Sequence, residues 1–337
     1  MRTSRKLTHS LLALFALVVM SASALAADPG LTYPPTSEVS DQKAGSVLFY
    51  NYYTSAANEG GANSNNTRIN ITNTSSTSAA FVHLFFVASD CSVADNFICL
   101  TANQTASFLA SDIDPGTQGY LVAIASGPVL GCPVAFNHLI GDEYIKRQDG
   151  FAANLGAEAF AALYYGILPG CDANSSTATL NFNGVVGSGY NQAPRVLAVS
   201  NVGSRANGNE TLLIINRFGG NLATGASSTG TIFGLFYDDA ENSFSYTFPV
   251  AGCQVRGVLS DTFPRTVPRL STIIPSGRSG WTKFYNLGND VGLLGAVINK
   301  NENVEGDSGA FNGGHNLHKL TLSSTNTLVI PVFPPSC

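Results

Sequence analysis

Residues 67–87 read TRINITNTSSTSAAFVHLFFV, and this stretch decides the fold class. Residues 67–72 alternate strictly, with Ile69 and Ile71 on one face, which is the period of a β-strand with one buried face. Residues 80–87 are aromatic and β-branched, a composition that also favours strand. The stretch therefore predicts two consecutive β-strands.

The same kind of segment recurs along the first 150 residues. Residues 46–53 (SVLFYNYY) are apolar and aromatic, and further strands are predicted at 104–110, 119–124 and 134–140. Turn residues separate these segments at 58–61, 114–116 and 127–128. Short strands with regular turns between them indicate an antiparallel sandwich or barrel. Residues 154–163 (NLGAEAFAAL) are Ala-rich with apolar residues at helical spacing, so they predict one helix.

The strand pattern starts again after this segment and resembles the beginning. Residues 83–87 (HLFFV) match 233–237 (FGLFY), and an acidic turn follows each. Residues 113–120 (IDPGTQGY) match 274–281 (IPSGRSGW), since both have Ile, then Gly-x-x-Gly, then an aromatic residue that opens a strand. We expect an internal duplication and an all-β fold of two tandem antiparallel β-sandwiches, immunoglobulin- or fibronectin-like in architecture, with one short junction helix.

The amino terminus has the pattern of a secretory signal peptide. Three basic residues precede the apolar run 11–20, which is too short to anchor in a bilayer, and small residues end the segment at Ala26. We expect secretion, to the extracellular space, the cell surface or the periplasm, and no integral membrane segment after cleavage. The predicted organisation is a signal peptide (1–26), an extended arm (27–44), a first sandwich (45–148), a junction helix and loop (149–192) and a second sandwich (193–337).

The charge of the chain narrows the classes of partner. Without the three basic residues of the signal peptide, 14 basic residues stand against 22 acidic ones, a net charge of −8. Nucleic-acid binding needs a basic stripe, which is missing here. Only 12% of the residues are charged, about half the usual share. The expected partners are other copies of the chain, another surface protein or a glycan.

Six cysteines remain after cleavage of the signal peptide, and their even number in an exported chain predicts disulfides. A zinc site does not fit, because no CxxC pair occurs. Sequence alone allows 15 pairings. Locality favours Cys91–Cys99, Cys132–Cys171 and Cys253–Cys337.

The chemical motifs are weak. Residues 306–309 (GDSG) resemble the nucleophile loop of trypsin-like proteases, but no upstream histidine has the matching context, so we interpret Ser308 as a turn residue. His315 and His318 follow two glycines, which disfavours the helix that would place both on one metal. The turn pairs 112–114 and 238–239 carry acids that are either solvated or Ca²⁺ ligands. The expected catalytic, cofactor and metal residues are therefore none.

Two sets of residues suggest carbohydrate chemistry. Asp142, Glu143 and Glu158 are the candidate acids for a glycan-active hydrolase, which needs two carboxyl groups across a cleft. The tyrosines are dense enough for a sugar-stacking face, although strand alternation buries about half of such rings; they are Tyr50, Tyr52, Tyr53, Tyr164 and Tyr165.

The leading hypothesis is a secreted, non-enzymatic structural or adhesive protein, such as a subunit of an extracellular filament or surface layer. A carbohydrate-binding protein is the alternative, and a glycan-active hydrolase ranks below it. For assembly, we expect the arm 27–44 and the strand behind it to add to a sheet edge of a neighbouring molecule. An equal alternative is a disordered leader followed by the first domain's own edge strand. The residues of that strand assigned to assembly are Val47, Leu48, Phe49, Tyr50, Tyr52 and Tyr53.

Overall fold

The computed structural model describes residues 28–29, 31–32, 39–57, 64–288, 290–303 and 312–336. The predicted signal peptide, Ser308 and Cys337 lie outside these residues. Within them, no helix is long and apolar enough to cross a membrane. In the described ranges, helical structure amounts to α1 (Ala110–Ile113), α2 (Leu270–Ile273) and one 3-10 turn (Arg205–Asn207), and all other regular elements there are strands.

The described part of the chain contains strands β1 to β23, numbered in chain order. The first eleven are β1 (Leu31–Thr32), β2 (Val47–Thr54), β3 (Asn66–Asn73), β4 (Ala80–Ala88), β5 (Val93–Leu100), β6 (Thr105–Leu109), β7 (Gln118–Ser126), β8 (Leu139–Lys146), β9 (Ala152–Gly156), β10 (Glu158–Phe160) and β11 (Thr177–Phe182). The remaining twelve are β12 (Pro194–Gly203), β13 (Asn209–Phe218), β14 (Gly220–Asn221), β15 (Gly225–Ala226), β16 (Gly230–Asp238), β17 (Ser243–Val250), β18 (Gln254–Val258), β19 (Ser279–Asn286), β20 (Gly292–Asn301), β21 (Gly313–Asn316), β22 (His318–Leu322) and β23 (Asn326–Pro331).

These strands form five sheets. Sheet I has the order β10-β2-β7-β4-β5, and sheet II has the order β6-β3-β8-β9. Sheet III is β1-β22-β12-β19-β16-β17, sheet IV is β18-β13-β20-β21, and sheet V is β11-β23-β14-β15. The short contact of β14 with β23 is parallel.

The internal repeat appears as a repeated pairing order. The order β2-β7-β4-β5 in sheet I recurs as β12-β19-β16-β17 in sheet III, and β6-β3-β8-β9 recurs as β18-β13-β20-β21 in sheet IV. The one-turn helices α1 and α2 precede the matching strands β7 and β19. The aligned segments 113–120 and 274–281 therefore occupy equivalent places in the two halves, which are β2–β9 and β12–β21.

The prediction of two tandem immunoglobulin- or fibronectin-like sandwiches is wrong. Five small sheets, as many as the blades of a five-bladed β-propeller, replace the two sandwiches. In an immunoglobulin domain the first strand lies beside the second. Here β2 pairs with β7 and β10 instead, and β3 pairs with β6 and β8. The pairing therefore follows a topology that strand content alone does not reveal.

The apolar clusters are shared between the two halves, so the halves do not form two independent cores. Sheets I and II enclose one apolar cluster that includes Leu48, Ile71 and Leu84. The opposite face of sheet I, with Phe49 and Phe85, packs in a second cluster that reaches sheet V and the end of β13. All eight residues of β2 are buried as a result.

Sheet IV is covered on both faces in the same way. Leu213 and Val297 pack with sheet III, while Ile214 and Ile298 pack with Ile145 of sheet II. The clusters thus cross the predicted boundary at residue 193. The segment boundaries 45–148, 149–192 and 193–337 stay predictions.

The predicted junction helix at 154–163 is also wrong, because this segment is extended. It contributes to β9 and β10, and Ala159 lies opposite Leu48 in β2. Close packing explains the small residues: a Cβ on Gly156 would come within 2.8 Å of the Asp41 side chain. Tertiary contacts here override the helix propensity of alanine, as they do routinely.

The disulfides correct two of the three predicted pairs. Cys132–Cys171 is confirmed, whereas Cys91 bonds to Cys253, 162 residues away. Cys91–Cys99 and Cys253–Cys337 are therefore wrong. Cys99 is also disulfide-bonded. Cys91 and Cys99 cannot meet because β5 holds them apart by roughly 20 Å of extended chain.

Candidate functional site

Two of the three acids proposed for glycan hydrolysis lie inside the protein, whereas Asp142 is partly exposed and accepts a hydrogen bond from the Asn70 side chain at 2.9 Å. Glu143 and Glu158 are fully buried. A carboxylate oxygen of Glu143 accepts a hydrogen bond from the Tyr52 backbone N–H at 3.1 Å, and Glu158 is ion-paired with Lys319. Burial raises the pKa of Glu143 well above its ordinary value. Neither carboxyl group lies in a cleft that a glycan could enter.

These acids border a buried polar seam between the two halves. The side-chain amide of Asn216 donates to the Asn51 carbonyl at 2.8 Å, and Gln254 donates to the Asn216 side chain at 2.7 Å. Asn51 in turn donates to the Asn316 side chain at 2.8 Å and to Glu158 at 3.3 Å. The seam therefore joins β2 to β13, β18 and β21 through hydrogen bonds.

The predicted stacking and assembly residues are mostly core. Four of the five tyrosines are buried, and only Tyr165 is exposed, at 99%. The six residues assigned to assembly all lie in β2 and are fully buried. Since β2 is paired on both edges, it offers no free edge to another molecule.

The candidate metal residues do not converge. Among the described residues, no three His, Cys, Asp or Glu side chains are grouped to hold an ion. The rings of His315 and His318 lie 5.7 Å apart at the surface. Asp238 accepts hydrogen bonds from Asn242, which lower its pKa, and Asp239 is ion-paired with Arg278. In the other acidic turn, Asp112 accepts the Leu109 backbone N–H at 2.9 Å and Asp114 accepts the Tyr53 hydroxyl at 2.5 Å. Both turns are thus held by protein contacts.

The site that the structure does present is on the outer side of sheet III. On β16 and β19 the cross-strand pairs are Tyr237 with Trp281, Leu235 with Lys283, and Phe233 with Tyr285. These six side chains are partly exposed, while the alternate residues of the same strands are buried. We call these six residues the aromatic face.

The rings of the aromatic face form two pairs. Tyr237 and Trp281 stack with their centroids 4.3 Å apart and their planes within 9° of parallel. Phe233 and Tyr285 lie 5.4 Å apart at a tilt of 47°. Phe233 and Tyr237 are four positions apart on β16, so the two pairs are separated by roughly 13 Å along the strand. The face is therefore long and carries a ring pair at each end.

Polar groups flank the rings. On the neighbouring edge strand β17, Ser243, Ser245 and Thr247 are exposed and lie opposite the residues of β16. Lys283, in the middle of the face, is ion-paired with Asp28 at 2.6 Å. The Lys283 amine also lies 6.0 Å from the centroid of the Tyr237 ring.

The aromatic residues of this face are visible in the sequence, but strand alternation alone does not show which of them are exposed. Residues 233–237 (FGLFY) and 281–285 (WTKFY) carry large aromatic residues at both parities of the strand period. Only one parity can face the core of sheets III and IV, which receives Phe236 and Phe284. The other parity must lie on the outer side. Rings at both parities do not identify an exposed face by themselves, because β2 also has them and is buried throughout.

Comparison with known proteins gives no relative. No protein-family model and no curated protein sequence matches the chain. Among solved structures, the crystal structure of a lectin from Pleurotus ostreatus in complex with GalNAc aligns at 8% identity, covering 90% of this chain and 84% of that one, with a TM-score of 0.13. A TM-score this low carries no argument about fold or ligand.

Proposed function

We propose that the chain is a secreted, non-enzymatic protein that binds carbohydrate on its aromatic face. The observation that carries this proposal is the parallel stack of Tyr237 and Trp281 on the outer side of a sheet. A sugar ring has an apolar face of C–H groups and a rim of hydroxyls. Aromatic rings suit the first, and the hydroxyls of β17 together with Lys283 suit the second.

Two further observations support the non-enzymatic, exported part of the proposal. Both fully buried candidate acids have structural partners within the chain. The bonded cysteines suit an oxidising compartment, in agreement with the signal-peptide pattern of the sequence.

The test uses the fact that Trp281 is the single tryptophan of the chain. Its fluorescence should change when a bound polysaccharide covers the face, so a panel of soluble polysaccharides is titrated. Trp281→Ala and Tyr237→Ala should weaken binding at least tenfold by calorimetry. Tyr165→Ala, which removes an exposed tyrosine elsewhere, is the matched control and should bind like the wild type. Equal binding by Trp281→Ala, or no response to any polysaccharide, would refute the proposal.

A structural role in assembly is the second candidate, and one contact favours it. Leu31–Thr32 adds an antiparallel strand to β22 at the edge of sheet III. Thr321 donates to the Pro29 carbonyl at 2.6 Å, next to the Asp28–Lys283 pair. The same contacts, exchanged between chains, would link one copy to the next.

The assembly candidate is tested by deleting residues 27–38 and measuring mass by light scattering. Residues 39–44 are kept, because Val39 is buried and Ser40 pairs with Ala159. The full-length protein should form oligomers that the truncated protein does not. If both are monomers at high concentration, the assembly candidate is wrong.

A further inference from the structure

The middle of the aromatic face carries one charged group, and the amino-terminal segment of the chain neutralises it. Lys283 is the single cation among the six residues of the face, and its amine lies 2.6 Å from a carboxylate oxygen of Asp28. Only 17% of the lysine side chain and 21% of the aspartate side chain are exposed. The same amine lies 6.0 Å from the centroid of the Tyr237 ring, which stacks on Trp281. The ion pair is therefore part of the surface that a ligand on these rings would contact.

Asp28 reaches this position because its own segment is attached to sheet III. Strand β1 pairs with β22 at one edge of the sheet, and the Thr321 hydroxyl donates to the Pro29 carbonyl at 2.6 Å. Lys283 lies two strands further into the sheet, since β22 pairs with β12 and β12 pairs with β19. From the edge of the sheet, the chain thus extends over the outer side to place Asp28 on Lys283.

Two other features set the charge around the face. At the end that carries Tyr237 and Trp281, Asp239 is ion-paired with Arg278. His318 lies on the same side of the sheet as the lysine, because Ala198 of β12 is opposite both residues. The measurements below are therefore made at pH 8, above the ordinary titration range of histidine.

The charge of the whole chain acts in the same direction as the ion pair. Without the predicted signal peptide, 14 basic residues stand against 22 acidic ones, a net charge of −8. A polyanion that approaches the face is repelled by this net charge. It must also displace Asp28 from Lys283 before it gains an ion pair of its own. An uncharged polysaccharide meets neither obstacle.

We propose that Asp28 determines the ligand class of the aromatic face: by neutralising Lys283, it makes the face bind uncharged polysaccharides in preference to acidic ones. The choice of polysaccharide rests on the proposed function. The ammonium group of Lys283 has three hydrogens and donates one of them to Asp28, so it can still donate to sugar hydroxyls. A ligand carboxylate at the same place would lie beside the negative oxygen of Asp28, and like charges at that distance repel each other.

The first test compares neutral and acidic forms of one polymer on the wild-type protein. Every neutral polysaccharide that the face binds is compared with its own carboxymethyl derivative, such as dextran with carboxymethyl-dextran and hydroxyethylcellulose with carboxymethylcellulose. At low ionic strength, calorimetry should show that the neutral form binds about tenfold more tightly. Equal or tighter binding of the carboxymethyl form, or a face that binds acidic polysaccharides alone, would overturn the inference and leave the proposed function standing.

The second test removes the negative charge of Asp28. Asp28→Asn should raise the affinity for the carboxymethyl polymer about fivefold, the upper end for an exposed ion pair. The gain should disappear at high salt and in the double variant Asp28→Asn/Lys283→Gln. Asp149→Asn is the matched control, because it makes the same charge change and frees Arg147 from an ion pair at the end of β8, and it should show no gain. Intact mass checks that all variants share one amino terminus. Wild-type affinity for the carboxymethyl polymer in folded Asp28→Asn would overturn the inference.

A third measurement needs no polysaccharide. Iodide and caesium quench the fluorescence of Trp281 according to the sign of the charge near the ring. Asp28→Asn should raise the ratio of iodide to caesium quenching about twofold at low salt, and Asp149→Asn should leave it unchanged. An unchanged ratio in Asp28→Asn would show that Asp28 does not set the charge of the face, and the inference would be wrong even if a polysaccharide binds. The expected ratio without binding of any polysaccharide would instead refute the proposed function, and the ligand class with it.

Discussion

The Cys91–Cys253 bridge should stabilise the protein more than the Cys132–Cys171 bridge does. It closes 162 residues, whereas Cys132–Cys171 closes 39. Chain entropy lost by the unfolded state grows with the logarithm of loop length, so the first bridge is worth about 5 kcal/mol and the second about 4 kcal/mol. Replacing each pair by alanines should lower the free energy of unfolding in that order.

The location of the bridge adds to this difference. Cys91 lies in the turn after β4, and its partner lies just before β18 in the other half of the chain. The backbone N–H of Cys253 also donates to the Ser89 carbonyl at 3.0 Å. Losing the bridge therefore loosens a contact between the halves, in addition to freeing the unfolded chain.

Equilibrium unfolding in guanidinium at neutral pH measures the effect, with the two double variants and the wild type compared at equal protein concentration. A larger loss for the Cys132/Cys171 variant would refute the loop-length reasoning. A loss below about 2 kcal/mol for the Cys91/Cys253 variant would do the same, because it lies under the usual range for native bridges.

Three further predictions test the packing. Gly252→Ala should destabilise by about 1–3 kcal/mol in the same assay, because a Cβ would overlap the Ser89 carbonyl oxygen; an unchanged midpoint would contradict this. Because the pKa of Glu143 is raised in the folded protein, the free energy of unfolding of the wild type should fall as the pH rises from about 4.3 toward that pKa, by up to about 1.4 kcal/mol per pH unit. Glu143→Gln should remove this pH dependence. A variant-minus-wild-type difference that stays constant from pH 4 to 8 would disprove it. Trp281→Ala should cost only about 1 kcal/mol by thermal or chemical unfolding, as for an exposed cross-strand pair; a loss of 3 kcal/mol or more, as for a core ring, would show that the ring is structural.

The all-β class could be predicted from sequence, because alternation such as that of Ile69 and Ile71 is a local property. The repeat was also visible, since 113–120 and 274–281 share a turn pattern. Strand partners are set by contacts across long separations, such as β2 with β7, and no local pattern encodes them. Alanine-rich 154–163 shows the same limit, because its small side chains serve close packing against β2 and Asp41.

The candidate sites were less accessible to sequence reasoning. Glu143 and Glu158 were identified by residue type, but type does not report burial or partners such as Lys319. The tyrosines of β2 were expected to divide between two faces, one of them open. Both faces of sheet I are covered, so the rings became core, and the open rings belong to sheet III instead.

The burial of both faces of sheet I has a consequence for how the chain folds during synthesis. During synthesis or export from the amino terminus, the first half is complete while β23 is still missing. The face of sheet I that carries Phe49 and Phe85 then has no sheet V to cover it. The nascent first half is thus an aggregation-prone intermediate until β23 (Asn326–Pro331) completes sheet V and covers this face. Truncations near the carboxyl terminus should therefore appear as aggregation of the whole chain, and a holdase chaperone that shields this face until release would raise the yield.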